Sequence, residues 1–90
     1  MDICIQIGNT DNKLTQQEWS EYIEAVYGIC VYYGVVHFSG GSSAEKRWQN
    51  YCFCVSDVRN PDRFKNAVSL IRKDFKQDSL TWLQGKVDLV

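Results

Sequence analysis

Trp48-Gln49-Asn50-Tyr51-Cys52-Phe53-Cys54-Val55 decides the fold of this 90-residue chain. Gln49, Tyr51, Phe53 and Val55 fall on one side of an extended backbone and Trp48, Asn50, Cys52 and Cys54 on the other, the two-residue period of a strand. Asp2 to Ile7 has the same period, with Ile3, Ile5 and Ile7 opposed to Asp2, Cys4 and Gln6 and a stop at Gly8. Both strands have one strongly apolar side, so both belong at the centre of a sheet.

Working outward, Gly8 to Lys13 reads as a polar loop, and Thr15 with Glu18 forms a capping box that starts a helix. Trp19, Tyr22, Ile23, Val26, Cys30 and Tyr33 recur at helical spacing, and Gly34 supplies the stop. Val35 to Ser39 is a short strand, after which Gly40-Gly41-Ser42-Ser43 reads as a flexible loop. Asn60 is placed to cap a second helix with Pro61 at its first position and Phe64, Ala67, Val68, Ile71 and Phe75 as its buried stripe. Leu80 to Leu83 returns to strand, and Val87-Asp88-Leu89-Val90 either extends it or folds back through Gln84-Gly85-Lys86.

The order is β-α-β-β-α-β, the split βαβ pattern of a ferredoxin-like α+β fold, in one domain over residues 1–90. Right-handed crossovers put strands one and three in the middle of an antiparallel sheet with both helices on one face. The face under the helices is expected to hold Ile3, Ile5, Ile7, Tyr51, Phe53 and Val55, whose burial contributes roughly 1.5–3 kcal/mol for each large side chain. Cys4, Gln6, Asn50, Cys52 and Cys54 then occupy an uncovered face.

Composition bounds the function. A 10.4 kDa chain with 44% apolar residues makes one modest core, which a partner subunit would extend. A net charge of −1 argues against wholesale binding to nucleic-acid backbone or anionic membrane. No apolar run approaches the roughly 18 residues of a membrane span, and the start lacks a signal-peptide pattern, so a cytoplasmic location is expected. Cys4, Cys30, Cys52 and Cys54 fall inside expected elements, as reduced and mostly buried thiols do.

Signals for catalysis are sparse. His37 is the sole histidine, no phosphate-binding glycine loop or nucleophile elbow occurs, and a Cys–His pair rests on His37 lying near Cys52 or Cys54. A metal site built from Cys4, Cys52, Cys54 and His37 lacks knuckle spacing, since strand neighbours two apart hold their sulfurs roughly 6–7 Å from each other. Neither a metal nor a cofactor is expected. The topology resembles that of RRM domains, but the first strand has no aromatic and the third no basic flank, which makes nucleic acid an unlikely partner.

Charge and polar residues are more informative. Asp2, Asp11, Glu18, Glu21 and Glu24 oppose Lys13 alone in the first 34 residues, whereas Arg59, Arg63, Lys65, Arg72, Lys73 and Lys76 dominate residues 59–76. The acidic first helix could pair with the basic second one, within the molecule or across a dimer. Asn9, Asp11, Asn12, Lys13 and Trp19, then Trp48, Gln49 and Asn50, then Gln77, Asp78 and Trp82 place amides, acids and indoles at element ends. Planar indoles beside amides suit a flat polar ligand, with core anchors and turn-formers as the bland alternative.

The strings Ile7 to Trp19, Trp48 to Cys54 and Gln77 to Trp82 resemble a family of small bacterial and phage proteins with no assigned activity. The resemblance spans nearly the whole chain and implies that the three strings form a site. The expected ligand-binding residues are Asn9, Asp11, Lys13, Trp19, Trp48, Gln49, Asn50, Asp78 and Trp82. The function expected is a small non-enzymatic, homo-oligomeric binding protein of phage type. It would sequester an anionic, nucleotide-like signal in host defence, with helix two or Lys13 on phosphate and Trp19 or Trp48 on the base. The alternatives are a protein-interaction module or inhibitor of a host complex, and a small Cys-dependent enzyme or a metal- or RNA-binding domain.

Overall fold

The computed structural model describes residues 1–9, 13–42, 49–88 and 90. Six elements follow one another: β1 (Asp2–Gly8), α1 (Gln16–Tyr33), β2 (Val35–Gly41), β3 (Asn50–Ser56), α2 (Pro61–Asp74) and β4 (Thr81–Gly85). The protein is α+β, with a four-stranded antiparallel sheet in the order β2-β3-β1-β4. The central position of β1 and β3 follows from their apolar sides. Ile3 lies opposite Val55, Ile5 opposite Phe53 and Ile7 opposite Tyr51, so their side chains share one face.

That face meets both helices. Trp19, Tyr22, Val26 and Cys30 of α1 and Phe64 and Val68 of α2 are buried against Ile3, Ile5, Ile7, Phe53 and Val55. Tyr33 stacks on Phe64 at 5.3 Å, and Phe64 meets Trp82 edge-on at 5.2 Å. The smallest extent of the molecule is 18 Å, the depth of one sheet and one helix layer spaced about 10 Å apart. Among the described residues no helix is long and apolar enough to cross a membrane.

The capping box forms: the Glu18 amide donates to Thr15 Oγ1 at 3.1 Å, and the Thr15 amide donates to Glu18 Oε1 at 3.0 Å. The Thr15 backbone bond, then its side-chain bond, hold the Glu18 carboxyl below its usual pKa. Gly34 ends α1 in extended backbone, so a left-handed turn is not its reason for being there. A Cβ at Gly34 would lie 2.7 Å from both the Ser56 carbonyl oxygen and Val55 Cγ1; glycine is needed because α1 passes so close to β3.

Several expectations need correction. Gly40 and Gly41 are not loop but the end of β2, paired with Cys52 and Tyr51. A Cβ on Gly41 would meet the Asn50 carbonyl oxygen at 2.0 Å, and the Phe38 ring covers Gly40, so the glycines permit close pairing. Asn60 precedes α2 but makes no side-chain cap; its φ of 55° places it in the left-handed region, which Asn tolerates. The last strand is Thr81–Gly85, and residues 86–88 form neither an extension nor a hairpin. Instead the Val87 amide donates to Asp2 Oδ2 at 2.8 Å. Leu89 lies outside the described residues. Of the four thiols only Cys30 is fully buried, because Cys4, Cys52 and Cys54 lie on the sheet face that no helix covers.

Candidate functional site

The three polar strings meet at one end of the sheet, where β1 finishes and β3 and β4 begin. Asn9 and Gln49 are buried there, and each satisfies the other. Asn9 Nδ2 donates to the Leu14 carbonyl at 3.1 Å and to Gln49 Oε1 at 3.0 Å, while the Leu14 amide donates to Asn9 Oδ1 at 3.0 Å. Gln49 Nε2 in turn donates to Gln16 Oε1 at 2.7 Å, and the Asn9 amide donates to the Gln49 carbonyl at 2.8 Å. Buried amides of this kind must be paired, and these fasten the start of α1 to the sheet.

The third string is a helix terminus. The Lys76 amide donates to the Lys73 carbonyl and the Gln77 amide to the Arg72 carbonyl, the paired bonds of a Schellman motif, with Lys76 at a φ of 57°. Arg72 Nη1 donates to the carbonyls of Gln77 and Asp78 at 2.7 and 3.0 Å, and buried Gln77 donates to the Phe75 carbonyl. Lys13 forms an ion pair with Asp78 at 3.5 Å, joining the first string to the third.

Of the expected ligand-binding residues, Asn9, Lys13, Gln49, Asn50 and Asp78 are thus brought together: Asn9 bonds to Gln49 and Lys13 to Asp78, while the Asn50 backbone bonds to Ser42. Trp19 is buried in the core beside Tyr22, closed to a stacking ligand. Trp82 lies apart, half-buried between α2 and β4, with the Lys65 ammonium 5.8 Å from its ring centre. Asp11 and Trp48 lie outside the described residues, as does Asn12. Asn50 and Asp78 do line an open polar cleft of about 440 Å3 with Gln6, Gly8, Ser79 and Thr81. Among the described residues Asp78 is the only charged group lining it, so they do not favour an anion. Among the described residues no ion pair joins α1 to α2, although the Lys76 charge just beyond α2 helps to lower the Glu18 pKa.

The uncovered sheet face is a different surface, and its key residue was not foreseen. A bulge in β2 falls between Val36 and Phe38. Val36 pairs with Val55 on the helix side, yet Phe38 pairs with Cys54 on the open side, because the extra residue reverses the alternation. One row therefore crosses the sheet: Phe38, Cys54, Cys4 and Leu83, each opposite the next. Phe38 is 57% and Leu83 65% exposed.

Beside this row lies a cavity of about 600 Å3 lined by Asp2, Ile3, Cys4, His37, Cys54, Val55 and Val87. It brings His37 near two thiols, but the ring Nε2 is hydrogen-bonded to the Ser56 hydroxyl rather than to sulfur. The Cys4 thiol donates to Cys54 Sγ at 3.5 Å. Burial, then that bond and the Cys54 and Asp2 charges, raise its pKa. Among the described residues no group of three or more His, Cys, Asp or Glu side chains could hold a metal ion. The chain matches no protein-family model, no curated protein and no solved structure.

Proposed function

We propose that this protein is a small non-enzymatic binding module that assembles with a second copy of itself through the uncovered sheet face. The observation that carries this reading is the neutrality of that face in a chain with 23% charged residues. Apart from Asp2 at one corner and His37 at the bulge, the strands turn only neutral side chains outward, around the row from Phe38 to Leu83. Depletion of charge around exposed apolar groups distinguishes an interface core from ordinary surface. A neutral face also meets its own copy without repulsion, and two such sheets can pack face to face about 10 Å apart.

Strands of five to seven residues, about 3.4 Å per residue and about 4.8 Å apart, give a footprint on the order of 400 Å2. Stable interfaces bury about 800 Å2 per partner, so the assembly is a concentration-dependent one. Sedimentation velocity over a wide concentration range should show a monomer–dimer equilibrium that Phe38→Lys or Leu83→Lys abolishes. A wild-type chain that stays monomeric throughout, or variants that dimerise as well as wild type, would remove the reading.

The wider framework belongs to the same proposal. Two interleaved β-α-β units with β1 beside β3 support a ferredoxin-like classification. The resemblance to the bacterial and phage family is then read as shared structural bonding, by Asn9 with Gln49 and separately by Gln77 at the end of α2, rather than as ligand contacts. Free thiols suit the reducing cytoplasm.

A second reading keeps the anionic, nucleotide-like ligand of a phage-type sequestering protein but moves it. Lys65, Asn66, Ser69, Arg72, Asp78 and Trp82 line a groove of about 380 Å3 between α2 and β4, which sets two cations and an indole beside one carboxylate that Lys13 already pairs. Titration calorimetry with mono- and dinucleotides should show binding that Lys65→Glu abolishes; absence of heat across that panel would eliminate this reading.

A further inference from the structure

We infer that Cys4 and Cys54 form a cross-strand dithiol that a small-molecule disulfide closes to an intramolecular disulfide, making the middle of the open face a redox modification site. The register carries the inference. Cys4 lies directly opposite Cys54 on the neighbouring central strand, and their sulfurs are 3.5 Å apart. Opposed residues in an antiparallel pair have Cα atoms about 4.5–5.5 Å apart, inside the roughly 4.4–6.8 Å span of disulfides. Closure thus asks for side-chain rotation and a small approach, without moving a strand.

The other two cysteines are excluded by position. Cys30 is buried in α1 on the far side of the sheet, and Cys52 lies opposite Gln6. Both sulfurs of the pair border the cavity beside His37 and are only half-buried, so a small oxidant reaches them in the free protomer. Where a second copy covers the face they are shielded, so the reaction belongs to the monomer.

The chemistry balances with one external disulfide such as oxidised glutathione. One protein thiolate attacks it and expels a small thiolate, giving a mixed disulfide. The second protein thiol, which loses its proton as it attacks, displaces the remaining small thiol. Two protein thiols are oxidised to one cystine, one external disulfide is reduced to two thiols, and both protein protons end on those products. Cys4, which donates its hydrogen to Cys54 and holds its proton more firmly than an ordinary thiol, suits the second role.

The test is equilibration of dilute folded protein in glutathione buffers of graded ratio, followed by alkylation, intact mass and peptide mapping. Expected is loss of two of the four free thiols without added glutathione mass, with a cross-link joining the Cys4 and Cys54 peptides. Cys52→Ser should close as readily as wild type, whereas Cys4→Ser should stop at a mixed disulfide. In denaturant the preference for Cys4 over Cys52 as partner of Cys54 should vanish. Retention of all four alkylatable thiols at every ratio, or a cross-link within Cys52–Cys54 or between chains, would overturn the inference. Repeating the equilibration with Phe38→Lys, whose face no second copy shields, separates this result from the assembly proposed above.

Discussion

Tyr22 is the one side chain whose buried polar atom has no hydrogen-bond partner among the described residues. Its ring stacks on Phe75 at 4.9 Å and meets Trp19 edge-on at 6.2 Å, so the apolar contacts hold the hydroxyl in place without satisfying it. An unpaired buried hydroxyl costs roughly 1–3 kcal/mol, and Tyr22→Phe is therefore expected to raise stability by about 1 kcal/mol in urea unfolding. Burial also pushes the phenol up to about 12 from 10.0, and the Cys30 thiol up to about 12 from 9.0. Both groups bind protons more tightly folded than unfolded, so their contribution is intact below the unfolded values and is lost as pH climbs from about 9 toward about 12. Melting temperatures followed through that range should fall for wild type and fall less steeply for Tyr22→Phe. Asn9 is the opposite case, a buried amide with every partner in place. Asn9→Ala strands the Leu14 backbone groups and Gln49, with an expected cost of about 3 kcal/mol in the same unfolding experiment. Sequence alone could not tell these amides from ligand contacts. An Asn and a Gln forty residues apart read alike whether they bond to a ligand or to each other.

At the scale of elements, periodicity was legible wherever the backbone stayed regular. The alternations of β1 and β3 and the stripe from Trp19 to Cys30 appear as expected, because each is set by which side of a regular backbone is apolar. The bulge at β2 broke that logic. Straight alternation would bury Phe38 with Val36, and only the close approach that Gly40 and Gly41 permit hints that this strand pairs differently. The end of α2 was equally hidden, since Lys76 occupies a left-handed position that glycine usually fills. A residue with a Cβ pays about 1 kcal/mol or more there, so Lys76→Gly should stabilise the protein by about that amount. Thermal unfolding checks it, and no gain would mean that Lys76 side-chain interactions offset the strain.

Among the described residues the molecule is two layers, with the second side of its sheet bare. Charge follows the same division. Acidic residues crowd α1 and basic ones α2, both on the helical side, while the bare side is neutral; the net charge of −1 conceals a polarised molecule. The helices thus carry most of the charge, and the open face carries little. If that face associates with a second copy, folding and assembly are linked, because the dimer binds up face that an unfolded chain does not possess. Once most chains are paired, each tenfold rise in protein concentration should add about 1.4 kcal/mol of stability per dimer and raise the melting temperature with it. Leu83→Lys puts a cation at the exposed end of the row opposite Cys4, and any interface that covers the row would have to strip that cation of water. Its melting temperature should be independent of concentration and coincide with that of wild type at high dilution. A wild-type midpoint that does not move with concentration would leave the bare face without its second copy.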